Sequence, residues 1–496
     1  MNNDNIDLIK SHFEKIKEDS TPKLNEEQEK ALKVLESGEN VFLTGDAGTG
    51  KSFLLSWFLD HNKDKNILVC APTGVAALNV GGITIHRAFN INDKEGGVSL
   101  GPIISRNINK CPKIVREADV LIIDEISMCR ADLFDFIVRT LKFKEMDTHL
   151  KTQLIVVGDF FQLPPVMKPE EREILLKEYP NLKEGYAFEG QLWQELNFKT
   201  IILHEVMRQN DQEFKFNLNK ARYGDSSCLP YFNQRANKKV KDAIIITAYN
   251  KDATRINEEK LEEIDSDPYI FKSTITGDVR KSEYPTSEEI TLKNGARIMC
   301  LINDTVNNDY VNGSLGTIIE EVDFGILHGI SVELDNGKTV NIFPHTFEYY
   351  DYAIEEELQN GKLTKKLVKN LRGTFVQLPV KLAYSITIHK SQGQTYDKIQ
   401  IRPSSFAAGQ LYVALSRCKT FENIGLDYPI SIDYLKASDR VLKLYNILLL
   451  SEQDKIDIVN YARLLVNTMT GDVFKSLPEN IQICIYNIYM AFKGGK

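Results

Sequence analysis

Short apolar runs, each ending in a polar cluster, recur along the first third of the chain. Residues 40–44, 66–71, 120–123 and 153–157 are continuous hydrophobic stretches of strand length, not alternating ones. Such runs predict strands buried on both faces, as in a parallel sheet covered by helices. Between them, 24–32 and 52–59 read as helices, the first with Gln28, Ala31, Leu32 and Leu35 on one face. A second set of buried strands is predicted at 201–203, 243–247, 383–387 and 399–401. The pattern changes between about 265 and 378, where Asn294-Gly295, Asn312-Gly313 and Asp335-Asn336-Gly337 punctuate alternating segments such as 338–343. Those are hairpin signals and predict a small β-rich barrel or hairpin unit. From 430 onward apolar residues return at helical spacing, as in Val441, Leu442, Leu444 and Ile447.

The organisation expected is therefore α/β with two lobes. An N-terminal arm (1–23) precedes a first lobe (24–200) and a second lobe (201–428), the latter interrupted by the β-rich insertion (265–378). A helical extension (429–496) closes the chain. A length of 496 residues fits this division, being too long for one core. With 42% apolar and 26% charged residues the chain has the composition of a folded domain protein. The formal charge of −8 argues against a protein that coats nucleic acid by net charge, while leaving room for a local basic channel. Seven scattered cysteines without a C-x-x-C pair disfavour structural zinc and a disulfide framework. No apolar run has membrane-spanning length, and residues 1–5 lack the layout of a signal peptide. The expected setting is intracellular, cytoplasmic or nuclear and not secreted, with no membrane partner.

The chemistry enters at Gly45-Asp46-Ala47-Gly48-Thr49-Gly50-Lys51-Ser52, which fits G-x-x-x-x-G-K-[ST] between a strand and a helix. Backbone N–H groups of Gly45, Ala47, Gly48, Thr49 and Gly50 can turn toward a polyphosphate at a helix N-terminus. Lys51 is placed for the β/γ-phosphates and Ser52 for Mg²⁺, so ATP and Mg²⁺ are the expected cofactors. Ligands of open α/β sheets sit at the carboxyl ends of strands, where the other polar clusters lie. Asp124 is then a second Mg²⁺ ligand, Glu125 the base for the attacking water, and Gln162 a γ-phosphate sensor. Gln28 fits two roles equally by spacing: a hydrogen bond to an adenine edge, or a capping box with Asn25. Arg208 and Arg417 are of the type that stabilises phosphoryl transfer, though an isolated arginine is ordinarily a solvated surface residue.

Eight segments in order carry a resemblance. They are GDAGTGKS, 71–77 (APTGVAA), 82–89 (GITIHRAF), 121–128 (LIIDEISM), 158–166 (GDFFQLPPV), 203–209 (LHEVMRQ), 387–395 (TIHKSQGQT) and 409–419 (GQLYVALSRCK). The chain resembles the superfamily-1 DNA helicases, and within them the petite-integration-frequency (Pif-type) helicases and their Dda and RecD relatives, from about residue 24 to 426. The resemblance implies two RecA-like lobes closing on ATP and an SH3-like insertion. It also implies single-stranded DNA across the lobe tops, 5′→3′ movement, and unwinding of duplex, forked or structured DNA in replication, repair or recombination. It makes Gln28 the adenine-binding residue, Arg208 and Arg417 arginine fingers from the second lobe, and Gln392 with Gly393 the link between nucleotide and DNA. Thr73, Gly74, His86, Phe89, His389 and Lys390 become DNA contacts. Phe89 would stack on a base, a core position being the alternative, and a strand-splitting pin is expected within about 88–112. Residues 130–150 keep only part of the stretch that follows the acidic pair in that group. The tail after 430 has no counterpart in the group's minimal core and is a candidate surface for replication or repair proteins; a monomer is expected. Two rival readings, a non-unwinding DNA-binding adaptor and an RNA-directed translocase, share the same motor residues.

Overall fold

The computed structural model describes residues 23–91, 111–209, 211–304, 309–325, 328–359 and 362–449. The expected pin, most of the N-terminal arm and the tail beyond 449 lie outside the described residues.

The four apolar runs become β1 (Val41–Gly45), β2 (Ile67–Ala71), β4 (Val120–Ile123) and β5 (Gln153–Val157), joined by a short β3 (Ile83–Thr84) and by β6 (Lys199–Leu203). All pair in parallel, in the order β3-β2-β4-β5-β1-β6. Successive side chains of a strand point to opposite faces, and both faces are covered. Val41, Leu43, Val120, Ile122, Ile155 and Val157 pack with Leu54, Leu55 and Phe58 of the helix Lys51–His61. Phe42, Leu121, Ile123, Leu154 and Val156 pack with Phe134 and Ile137 of the helix Ala131–Thr148. This is why the runs are continuous in sequence.

The lobe boundary needs moving. Residues 201–203 were expected to open the second lobe, but β6 pairs along β1 from Val41↔Lys199 to Gly45↔Leu203, and Leu203 is buried in the first lobe's core. A run of three apolar residues carries no mark of which sheet it joins.

The second lobe starts with the helix Gln212–Arg222 and β7 (Ile244–Thr247). The chain then leaves through β8 (Tyr269–Lys272), β9 (Thr274–Gly277), β10 (Glu289–Leu292), β11 (Arg297–Cys300), β12 (Leu315–Asp323), β13 (His328–Leu334), β14 (Thr339–Ile342), β15 (His345–Gln359), β16 (Lys362–Gln377) and β17 (Val380–Leu382). It returns as β18 (Ser385–Thr387), β19 (Ile399–Ile401) and β20 (Ile424–Leu426). The lobe's sheet is parallel, ordered β18-β7-β19-β20. The insertion holds the antiparallel sheet β14-β13-β12-β11-β17, with its own core of Ile298, Ile318, Ile330 and Val332.

Two features were not legible beforehand. The hairpin β15–β16 is an arm that leaves the insertion and docks on the first lobe. Leu367 N donates to Asn66 Oδ1 at 2.7 Å and Asn66 Nδ2 to Lys365 O at 3.0 Å. Arg87 pairs with Asp351 and, at 3.1 Å, with Asp278, while Tyr352 and Leu367 pack against the first lobe's core. Secondly, the helix Asp439–Leu448 is not an appended extension: Val441 and Tyr445 are buried in the first lobe's core, and Tyr445 shares a hydrogen bond with Thr44 of β1. Helical spacing announces a helix but not its docking partner.

Candidate active site and DNA-facing surface

The phosphate loop follows β1 and opens onto the helix Lys51–His61, whose N-cap, Gly50, supplies no side-chain hydrogen bond. The helix's first N–H groups are thereby left to a ligand. Gly48 and Gly50 sit at φ 86° and 82°, and a Cβ on either would come within 2.6 Å of Arg208 Cβ or Gln28 Nε2. Lys51 Nζ donates to the carbonyls of Gly45 (2.8 Å) and Asp46 (2.9 Å), folded back on its own loop. Burial pushes the Lys51 ammonium down from its ordinary pKa, opposed by Asp159, Glu125 and Asp46. Ala47 N donates to Tyr412 of the second lobe, and Thr49 Oγ1 to Asp46 O.

Gln28 forms the capping box with Asn25 and also lies at the phosphate loop, where its Nε2 reaches Thr49 O at 3.5 Å.

Asp124 and Glu125 follow β4. Glu125 has φ 50° and ψ 46°, a left-handed conformation costly for a residue other than glycine, of the kind concentrated at functional sites. Burial raises both carboxyls above their ordinary pKa; Glu125, with Asp124 beside it, rises to about 7. Gln392, after β18, donates to Glu125 Oε2 at 2.9 Å and reaches Gln162 Oε1 at 3.5 Å, so one side chain from the second lobe bridges the two. Gly393 follows at φ 78° with open space beside it. A hydroxyl at Ser52 and the Asp124 carboxylate suit Mg²⁺, which binds through one or two protein oxygens plus phosphates and water; a cation would relieve the burial cost that raises Asp124.

The two arginines converge. Arg417, 1% exposed, donates to the carbonyls of Val413 (2.8 Å), Ser391 and Gln394 (3.3 Å each) and to Ser416 Oγ. Arg208 lies against Gly48 and donates to Ser416 O at 3.1 Å. It comes from the segment after β6, at the edge of the first lobe, and not from the second lobe as expected. Burial and the neighbouring Arg417 push Arg208 down to about 9. Neither guanidinium has a carboxylate within ion-pair distance among the described residues. Two adjacent guanidiniums with no carboxylate in direct contact, Glu125 acting on Arg417 only from a distance, are costly to bury unless an anion joins them, and Gly48 of the phosphate loop lies against Arg208.

The DNA-facing candidates divide. Thr73 is exposed and its Oγ1 accepts Ala76 N at 3.2 Å to cap the helix Gly74–Asn79, which leaves the hydroxyl proton for a phosphate. His86 is half-buried in the short helix Ile85–Ala88. Phe89 is a correction: 3% exposed, it lies in the first lobe's core, 6.3 Å edge-to-face from Phe136, with no face to offer a base. On the second lobe His389, an expected DNA contact, is joined in a row by two rings that motif reading missed, all three from the carboxyl ends of strands. Tyr249 stacks on Phe406 (centroids 5.4 Å, 29°), and Phe406 on His389 (6.1 Å, 18°). Tyr249 and Phe406 are half exposed. Burial lowers the pKa of His389, favouring a neutral ring that stacks. Lys390 lies near Lys381, whose ammonium burial and Lys390 together push down to about 8. Neither lysine has a carboxylate in ion-pair reach among the described residues.

Two parallel-sheet lobes, a phosphate loop on one with Arg208 against it, and Arg417 of the other lobe beside Arg208 define a two-lobed ATPase of the helicase type. The family model "PIF1-like helicase" matches residues 23–223. An ATP-dependent DNA helicase Pif1 of Campylobacter jejuni is 33% identical over 84% of this chain and 97% of its own length. The chain belongs to the Pif1-like helicase family. Among solved structures, Bacteroides Pif1 in complex with ADP-AlF4 is 33% identical, covers 86% of this chain and 97% of its own, and superposes with a TM-score of 0.74. The same Bacteroides protein bound to single-stranded DNA matches over the same shares at 33% identity with a TM-score of 0.59.

Proposed function

We propose that the chain is an ATP-dependent DNA helicase that moves 5′→3′ on single-stranded DNA and opens duplex, forked or structured DNA in replication, repair or recombination. The observation that carries the reading is the pair Arg208 and Arg417, neighbouring cations without carboxylate partners beside the phosphate loop. Lys51 leaves the Gly45 and Asp46 carbonyls for the β/γ-phosphates. Gln28, Gly45, Ala47, Gly48, Thr49 and Gly50 shape the nucleotide pocket. Ser52 and Asp124 would hold Mg²⁺, which would supply charge neutralisation at the phosphates. Glu125 takes the proton of the attacking water, and Gln162 senses the γ-phosphate. Arg208 and Arg417 stabilise the charge that develops in transfer, an effect of roughly 10³–10⁵ in rate for arginine fingers. Gln392 and Gly393 carry the state of the cleft to the DNA-facing loops.

The DNA track runs over Thr73, Gly74 and His86 on the first lobe and His389 and Lys390 on the second, with Phe406 and Tyr249 in place of Phe89 as the stacking surface. Phe406→Ala is expected to weaken single-stranded DNA binding by about 1–3 kcal/mol, or about 5- to 150-fold. Fluorescence anisotropy at fixed salt reads this directly, and an unchanged Kd removes the ring row from the track. The function itself is tested with 5′-tailed and 3′-tailed duplexes incubated with ATP and the purified chain. Only the 5′-tailed duplex should open; opening of only the 3′-tailed one reverses the polarity, and opening of neither supports the adaptor reading instead. The chain acts as a monomer in this account; because the helix Asp439–Leu448 packs into the first lobe, any surface for replication or repair proteins is assigned to the residues beyond 449.

A further inference from the structure

Beneath the phosphate loop lies a buried ion cluster built by a residue outside the recognised motifs. Arg222 ends the helix Gln212–Arg222, which packs through Phe214, Leu218 and Ala221 into the second lobe's core. Its guanidinium, 3% exposed, reaches into the first lobe. Nη1 lies 2.9 Å from Asp46 Oδ1, and Nη2 lies 2.9 Å from Asp159 Oδ1. The plane sits 4.2 Å over the Phe161 ring and 5.2 Å from that of Tyr445. Asp159 is itself buried, and its Oδ1 also accepts Phe161 N.

Asp46 is the second residue of the phosphate loop, and its carbonyl is one of the two that hold Lys51. The second lobe therefore grips, through Arg222, the residue against which the phosphate-binding lysine rests. The same lobe carries Arg417 and the Ser416 carbonyl that holds Arg208. Buried charge pairs are weak sources of stability, because desolvation offsets their attraction, but breaking one is costly and their geometry is narrowly defined. A bidentate arginine between two carboxylates from different loops suits a registration point better than a stabilising contact.

We propose that Arg222 is a positioning residue of the ATPase site: by holding Asp46 it sets the register of the phosphate loop against the lobe that carries Arg417. Arg222 acts through Asp46, its guanidinium being paired with Asp46 and Asp159. The proposal rests on the reading of this cleft as the ATP site. When the tie is loosened, the cradle of Gly48 to Ser52 still binds nucleotide, but the γ-phosphate no longer lies in register with the arginines. Interactions that matter only in the transition state appear in kcat and not in KM.

The test uses the full chain with saturating single-stranded DNA, following ATP turnover in Asp46→Asn, Arg222→Gln and the double variant, with binding of a fluorescent ATP analogue measured beside it. Asp46→Asn should lower kcat about 10- to 100-fold, the scale of a small misplacement remote from the chemistry, with KM and analogue affinity within about twofold. The double variant should be no slower than Arg222→Gln alone, as expected for two ends of one contact. Arg222→Gln strands Asp159; if that variant does not fold, Asp46→Asn decides alone, because it leaves Arg222 paired one-to-one with Asp159. A wild-type kcat in Asp46→Asn, a rise in KM with kcat unchanged, or losses that multiply in the double variant overturns the proposal. A wild-type chain without ATP turnover overturns the ATP-site reading instead, which keeps the two failures apart.

Discussion

Glu125→Gln should bind ATP nearly as well as the wild type and hydrolyse it about 10²–10⁴-fold more slowly, the usual worth of a positioned general base. The backbone turn that presents residue 125 is left-handed and held by its neighbours, with Glu125 N bonded to Asp124 Oδ1 at 2.9 Å. Glutamine enters that turn at a cost similar to glutamate. Its amide oxygen can still accept from Gln392, so the link to the second lobe is kept while the proton acceptor is lost. Phosphate release compared with binding of a fluorescent ATP analogue separates the two effects. Hydrolysis within a few-fold of wild type would remove Glu125 from the role of base.

Lys51→Ala should lose nearly all ATP turnover, at least about 10³-fold, since it removes the principal cation aimed at the transferring phosphate from a site with little water. Folding should be unharmed. Burial disfavours the Lys51 ammonium, and its hydrogen bonds go to the Gly45 and Asp46 carbonyls, so alanine removes a desolvation cost along with those bonds. The thermal unfolding midpoint is the control: inactivity together with an unshifted midpoint places Lys51 in the chemistry, whereas a folded variant that still turns over ATP at the wild-type rate contradicts it.

The nucleotide side of the cleft was readable from sequence because each of its parts carries its own local signal. A phosphate loop needs glycines at fixed spacing, and strands buried on both faces need unbroken apolar runs. The acidic pair falls where β4 must end. What decides the rest is long-range. Residues 201–203 join the first sheet only because β1 offers them an open edge. Phe89 follows expected DNA contacts in sequence but points into the core beside Phe136. Tyr445 and the hairpin β15–β16 dock hundreds of residues away from their sequence neighbours, and no local spacing marks that. Arg222 looks like an ordinary helix-terminal arginine until the fold sets Asp46 and Asp159 on either side of it. The ring row Tyr249, Phe406 and His389 is assembled from three strand ends and is equally silent in one dimension. A signal was available for the last: each ring lies a few residues past a buried apolar run, at the end of the sheet where ligands bind.

The central claim is that one cleft, floored by Lys51 and closed by Arg417, is an ATPase answering to DNA on the face above it. The most direct measurement follows phosphate release at saturating ATP while single-stranded DNA is titrated into the purified chain. The account predicts turnover that rises with DNA and saturates; turnover that stays flat at every DNA concentration contradicts it.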